Sequence, residues 1–337
     1  MIRAGIKNMF LITGAIMGAG YASGREIWQF FGAGSGLAIL LFTVFFIVCT
    51  TTILNISYEL QSTNYVPVLH RLTGKKLALV YDYLIFIYLF SVTVVMIAGS
   101  GATFESFGIP FWWGIIFIIA GLLIIFSKGI SELLNINQLL MPLLIIALVV
   151  ILLVFMKDGD ISFHRNWEKQ DNWTAAFPFT ALNILPLIAV LGAIGNRIKS
   201  KGEIYIASVS SGLILGIITF IYNTNLMELA EQVELPAIPL YLIINNYGQT
   251  VIVVMMLMLW LAIYTTAAAT LLGMVTRVNK KLNLSLLKAA AIMLTIMLPF
   301  SLISFTQLVA FIYPLYGILN LYILVKLLLY PVWKNNR

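Results

Sequence analysis

At 337 residues, with 61% apolar and 10% charged side chains, a mean hydropathy of +1.00 and a net charge of +7, the chain lies far outside the range of soluble globular proteins. A bilayer crossing takes about 20 apolar residues, so this composition implies an all-α polytopic membrane protein without a hydrophilic domain. The longest polar stretches are 60–77, 157–173 and 225–247.

Apolar segments predict ten spans, at about 5–31, 36–58, 79–104, 110–127, 134–156, 174–195, 204–224, 248–275, 287–303 and 306–330. The first is too long and too rich in glycine for a cleavable signal peptide, and it lacks a small-residue cleavage pattern. With the N-terminus cytoplasmic, 16 of the 20 basic residues fall on inner loops and span ends; Arg25, Lys157, Arg165 and Lys169 are the exceptions. Both termini are therefore expected inside. This sorting accounts for the positive charge, which does not point to nucleic acid. The one cysteine, Cys49, lies within a span and forms no intrachain disulfide.

The first span carries GAIMGAGYASGRE at residues 14–26. An interior glycine costs about 1 kcal/mol against alanine in a helix, so Gly14, Gly18, Gly20 and Gly24 together cost about 3 to 4 kcal/mol. Two readings offset this. Gly14 with Gly18 and Gly20 with Gly24 are small-xxx-small pairs suited to close helix packing, although at about 100° per residue the pairs lie on nearly opposite faces. Alternatively the helix is discontinuous near the midplane, and its freed amides and carbonyls meet a solute or ion. Arg25 and Glu26 follow the break; they gate an external vestibule, pair with each other or with Glu105, or form a structural pair near the surface. Glu59 and Asp82, at the cytoplasmic ends of spans 2 and 3, can pair with basic inner loops as an inner gate or as structural charges. Tyr83 and Tyr88 in span 3, like Trp260 and Tyr264 in span 8, suit packing or contact with a solute.

The stretch SFHRNWEKQDNW at 162–173 interleaves aromatics with charges, as in an interfacial helix or a solvated connector. His164 there and His70 fall on opposite sides, so no metal cluster is expected. Five spans on each side suggest inverted repeats, about 5–156 and 174–330. Span 6 then corresponds to span 1, and its Asn183 and Pro186 mark a second interruption, because proline frees a carbonyl. In span 8, Ala262, Thr265 and Thr266 share one helix face. Two hydroxyls and a carbonyl there, with two carbonyls from a broken first helix, suit a monovalent cation; otherwise the threonines bond back to their own helix.

GAIMGAG in span 1 resembles the unwound first helix of LeuT-fold transporters, and AIYTT in span 8 resembles their sodium-binding segment. GAGYASGREIWQFFG, the size and ten spans together resemble the YkvI-type amino-acid permeases of the amino acid–polyamine–organocation superfamily. The resemblance implies a sodium site from the carbonyls of Gly14, Met17 and Ala262 and the hydroxyls of Thr265 and Thr266. It implies a solute pocket lined by Gly18, Ala19, Gly20, Tyr21 and Asn183. Tyr21 stands where a second sodium would need an acidic or asparagine side chain, which argues against that ion. The amides of residues 18–21 would meet a solute carboxylate, and Asn183 with freed span-6 carbonyls would meet its amine.

The function so implied is not enzymatic. It is sodium-coupled symport of a small amino-acid-like or zwitterionic solute by alternating access across a bacterial inner membrane, with the lipid bilayer as partner and no cofactor besides the ion. Proton coupling through Glu26, Glu59 or Asp82 is the alternative. A channel or a membrane-embedded enzyme fits less well, since neither a filter loop nor a carboxylate or histidine cluster is evident. ATP use is disfavoured by the lack of GxxxxGK[ST].

Overall fold

The structure is a computed structural model that describes residues 1–128, 131–159, 161, 167, 169–282 and 285–335. His164, Arg165 and half of the expected interfacial stretch lie outside the described residues. Among the described residues all regular structure is helical. The first apolar segment forms three pieces, α1 (Ile2–Ile16), α2 (Ala19–Ala22) and α3 (Arg25–Phe30). Then follow α4 (Gly36–Glu59), α5 (Val66–Glu105), α6 (Phe111–Lys128), α7 (Ser131–Asp158), α8 (Ala176–Gly192) and α9 (Lys201–Gln232). The chain ends with α10 (Leu240–Ile244), α11 (Gln249–Leu282), α12 (Leu286–Ser301), α13 (Phe305–Leu319) and α14 (Leu321–Asn335).

Among the described residues six helices are long and apolar enough to cross a membrane singly, and α12 with α13, bent by 104°, makes a seventh crossing if counted as one. That is a coarser result than ten spans. The segments Phe111–Ser127 and Leu321–Val332 are apolar but shorter. Three local differences have physical causes. The polar stretch before span 3 is largely helical: Val68, Leu69 and Leu72 are buried, which turns an amphipathic arm inward until Gly74, at φ 77°, breaks it. The last expected span is divided at Asn320 into α13 and α14. Span 6 is not discontinuous; α8 is helical straight through Asn183 and Pro186.

Packing sorts most helices into two groups. α1, α4, α8 and α9 lie against one another, and so do α5, α6, α11 and α12, while α13 touches α8, α5 and α3. Threonines and asparagines such as Thr50, Thr93, Thr219 and Asn223 are buried, whereas Leu40, Ile116, Ile124, Ile146, Ile217 and Leu257 are exposed. Polar side chains inward and large apolar ones outward is the arrangement of a protein surrounded by lipid. Residues just before α8 tie back to the first segment. Asn172 Nδ2 donates to the carbonyls of Phe30 at 2.9 Å and Phe31 at 2.6 Å and to Ser35 Oγ at 3.1 Å. Gln170 Oε1 accepts from the Leu37 amide at 2.6 Å.

Candidate functional site

The first segment breaks between Met17 and Gly18. Met17 N–H still reaches Thr13 O at 2.9 Å, but Gly18 N–H turns to Ile16 O at 2.7 Å instead of Gly14 O. Helical bonding resumes only where Ala22 N–H meets Gly18 O at 2.9 Å. Among the described residues, the carbonyls of Gly14, Ala15 and Met17 and the amides of Ala19, Gly20 and Tyr21 therefore have no backbone partner. A second turn follows at Gly24, whose φ of 84° suits glycine. A Cβ there would meet the Tyr222 ring at 2.7 Å. This turn folds α3 back against α2.

The consequence concerns Glu26. Six residues of straight helix would carry it about 9 Å beyond Gly20. Instead its carboxylate comes back: a Cβ built on Gly20 would stand 2.8 Å from Glu26 Oε2 and 2.8 Å from Tyr313 Cε2. Glu26 is 5% exposed and stands on the cavity wall with Asn183, whose Nδ2 donates to Phe179 O at 2.8 Å. The expected external vestibule is therefore not where Glu26 sits. Together with Gly18, Tyr88, Met96, Asn183, Pro186, Thr266 and Tyr313 it lines a central cavity of about 30 Å³, room for about one water. A larger groove of about 480 Å³ lies between α4 and α9, but Leu40, Val44, Ile217 and its other apolar walls make it a lipid-facing surface.

Of the expected pocket residues, Gly18 and Asn183 line the cavity, and Gly20 stands against Glu26. Ala19 packs under Gly99 beside Phe305. Tyr21 points away: its hydroxyl donates to Leu215 O at 2.8 Å and shares a bond with Thr219 Oγ1 at 2.7 Å, fastening α2 to α9. Of the expected ion ligands, Thr266 lies across from Gly18, its Oγ1 3.8 Å from where a Cβ would be. Thr265 Oγ1 donates to Ala262 O at 3.2 Å, a bond within its own helix that leaves the hydroxyl lone pairs available. Gly14 and Met17 contribute the freed carbonyls already described.

Arg25 does not pair with Glu26; its Nη1 reaches Leu235 O at 3.4 Å and it lies in the field of Glu234. Asp82 receives both Arg277 Nη1 at 2.9 Å and Nη2 at 2.5 Å, together with the Tyr65 hydroxyl at 2.6 Å. Burial first, and the adjoining Asp82 carboxylate second, hold the Tyr65 phenol above its ordinary range, so it stays a donor. Asp82 and Arg277 join α5 to α11, while Tyr65, whose backbone abuts Gly192, joins them to the α8 group. Glu59 lies in the field of Arg71. Trp260 donates to Ser100 Oγ at 2.7 Å and stacks on Tyr264, both serving packing, and Tyr83 lies beneath the Arg277 guanidinium.

Sequence reading missed Tyr313 and the inward turn of Glu26. The only available signal was the glycine at position 24, two residues before the acid. Among the described residues no three His, Cys, Asp or Glu side chains gather into a metal site.

No family model matches the sequence. The chain is 46% identical to the Bacillus subtilis (strain 168) protein YyaD over 335 residues, 98% of this chain and 99% of that protein. It is 28% identical to the membrane protein YkvI of the same organism over 324 residues, 93% and 92% of the two chains. Among solved structures it superposes on MhsT in complex with L-phenylalanine with a TM-score of 0.66 at 16% identity, covering 90% of this chain and 80% of that one. On inward-facing Mhp1 the score is 0.65 at 13% identity, over 96% and 75%. On a manganese transporter from Eremococcus coleocola it is 0.62 at 12% identity, over 97% and 78%.

Proposed function

Because the chain belongs to the family of YyaD and YkvI and has the LeuT fold, we propose that it is a secondary active transporter working by alternating access. The observation that carries this reading is the break between Met17 and Gly18, whose unpaired backbone groups adjoin the central cavity. A helix pays for such a break only where something else meets those groups. The solute is small and bears an ammonium group. Amino-acid-like and zwitterionic compounds are where screening starts, in keeping with the phenylalanine bound to MhsT.

Coupling is to sodium through the carbonyls of Gly14, Met17 and Ala262 and the hydroxyls of Thr265 and Thr266. The proximity of Thr266 to Gly18 supports this. Five neutral oxygens form a site for a monovalent cation and offer little to a divalent one. Ten crossings in two inverted halves, with both termini in the cytoplasm of a bacterial cell, agree with the distribution of basic residues. Asp82, Arg277 and Tyr65 close the inner side by tying the two helix groups together.

Purified protein in proteoliposomes tests the proposal. Solute accumulation should follow an inward sodium gradient at fixed pH, and Thr265→Ala with Thr266→Ala should abolish the sodium dependence. Gly20→Leu should abolish solute binding. The second reading, proton coupling, is favoured by one observation, the buried Glu26 carboxylate on the cavity wall. Accumulation driven by a pH gradient in potassium alone would select it, and no accumulation under either gradient would end the transporter reading.

A further inference from the structure

The residues around the central cavity carry one formal charge, and it is negative. Ala15, Val92, Met96, Leu182 and Pro186 are apolar, Asn183 and Thr266 are neutral donors and acceptors, and Tyr88 and Tyr313 supply aromatic rings. Arg25, the nearest base in sequence to Glu26, is engaged by Leu235 O elsewhere. A buried carboxylate without a cationic partner is expensive, and in a membrane protein it marks a place where a cation comes and goes.

Its position matters as much as its charge. Glu26 Oε2 lies against Gly20, one of the residues at which the family resemblance placed the carboxylate of an amino-acid solute. The protein's own carboxylate already takes up that space, so a second carboxylate would meet like charge in a poorly solvated cavity. Beyond the oxygens assigned above to sodium, one carboxylate and Asn183 offer fewer ligands than a hard metal cation wants. Tyrosine rings, a thioether and aliphatic walls instead suit the C–H surface of an organic ammonium. The present volume of about 30 Å³ admits little more than an ammonium head, so the alkyl part enters as the walls separate.

We propose that Glu26, assisted by Asn183 and by the rings of Tyr88 and Tyr313, forms a subsite for an organic ammonium ion, and that the preferred solute carries net positive charge without a carboxylate. This rests on the transporter reading and narrows its solute.

The test uses the purified full-length protein in nanodiscs and measures the thermal midpoint with n-butylammonium, choline, L-norvaline, pentanoate and n-butanol, in sodium and in potassium salts. One or both ammonium compounds should stabilise the wild type, binding at least tenfold more tightly than L-norvaline, with no shift from pentanoate or n-butanol. Glu26→Gln should weaken that binding at least tenfold, and Glu26→Asp should weaken it less. Equal binding by wild type and Glu26→Gln, tighter binding of L-norvaline or pentanoate, equal shifts from n-butylammonium and n-butanol, or no shift from any compound would each overturn the subsite. If Glu26→Gln is too unstable to purify, the wild-type comparison of n-butylammonium with n-butanol decides. Exchange of the same compounds across proteoliposomes separates the two readings. Ammonium binding without exchange removes the transporter and leaves the subsite, whereas L-norvaline exchange undiminished in Glu26→Gln removes the subsite and leaves the transporter.

Discussion

The first apolar segment and α8 both adjoin the central cavity, yet they solve the problem of a polar midplane differently. The first segment stops, turns at Gly18 and again at Gly24, and resumes, leaving backbone groups without helical partners. α8 keeps its helix through Pro186, which by its nature withholds a single amide from the Leu182 carbonyl. It presents a side chain, Asn183, where the first segment presents main chain. Glycine dissolves a helix when neighbouring contacts hold the alternative conformation. Proline at one position does not dissolve it when the turns on either side are packed, and α8 is packed by Phe179, Leu182, Leu185 and Ile188, all buried.

Substitutions in the two segments can break or sharpen this contrast. The largest effect is expected from Gly24→Ala, which combines a left-handed backbone with a Cβ 2.7 Å from Tyr222. About 3 kcal/mol of destabilisation is expected, seen as a fall in the thermal midpoint of the solubilised protein. A wild-type midpoint would mean that the second turn is not fixed. Asn183→Ala should come next, at about 2 kcal/mol, because it removes a buried polar side chain beside the Glu26 carboxylate together with its bond to Phe179 O. It should also weaken solute binding, and unchanged binding would detach α8 from recognition. Tyr21→Phe should cost about 1 kcal/mol through its lost bonds to Leu215 and Thr219 while leaving solute affinity as it was; a tenfold loss of affinity would return Tyr21 to the pocket. The smallest effect belongs to Pro186→Ala, which allows one more helical bond and should shift stability by less than about 1 kcal/mol. A large change there would show that the proline shapes α8 more than its unbroken helix suggests.

Much of this was legible beforehand. Apolar runs located the helices, and the cost of four glycines located the break, because both are local properties of the chain. What the sequence did not reveal depended on direction. Tyr21 looked like a pocket residue from its neighbours Gly18 and Gly20, but Leu215 and Thr219, about 200 positions away, decide where its hydroxyl goes. Glu26 looked peripheral because linear distance along a helix was counted through a glycine that turns the chain back. Asn183, singled out as a polar side chain in an apolar run, does line the cavity, although the interruption expected around it is absent from α8. Asp82 does meet a basic residue, but one on a helix, Arg277 of α11, rather than on a loop, and that partner and the Tyr65 hydroxyl needed coordinates.

Asn172 gives these parts a mechanical connection. Its amide grips the carbonyl end of α3 at two successive residues and reaches Ser35 as well, while the chain leads within a few residues into α8. Any displacement of α3 would therefore pull on the segment that leads into α8, like two doors on one handle. In the transporter proposed above, the kink at Met17 and Gly18 would be the compliant joint left to such a linked pair, beside the cavity that Gly18 lines.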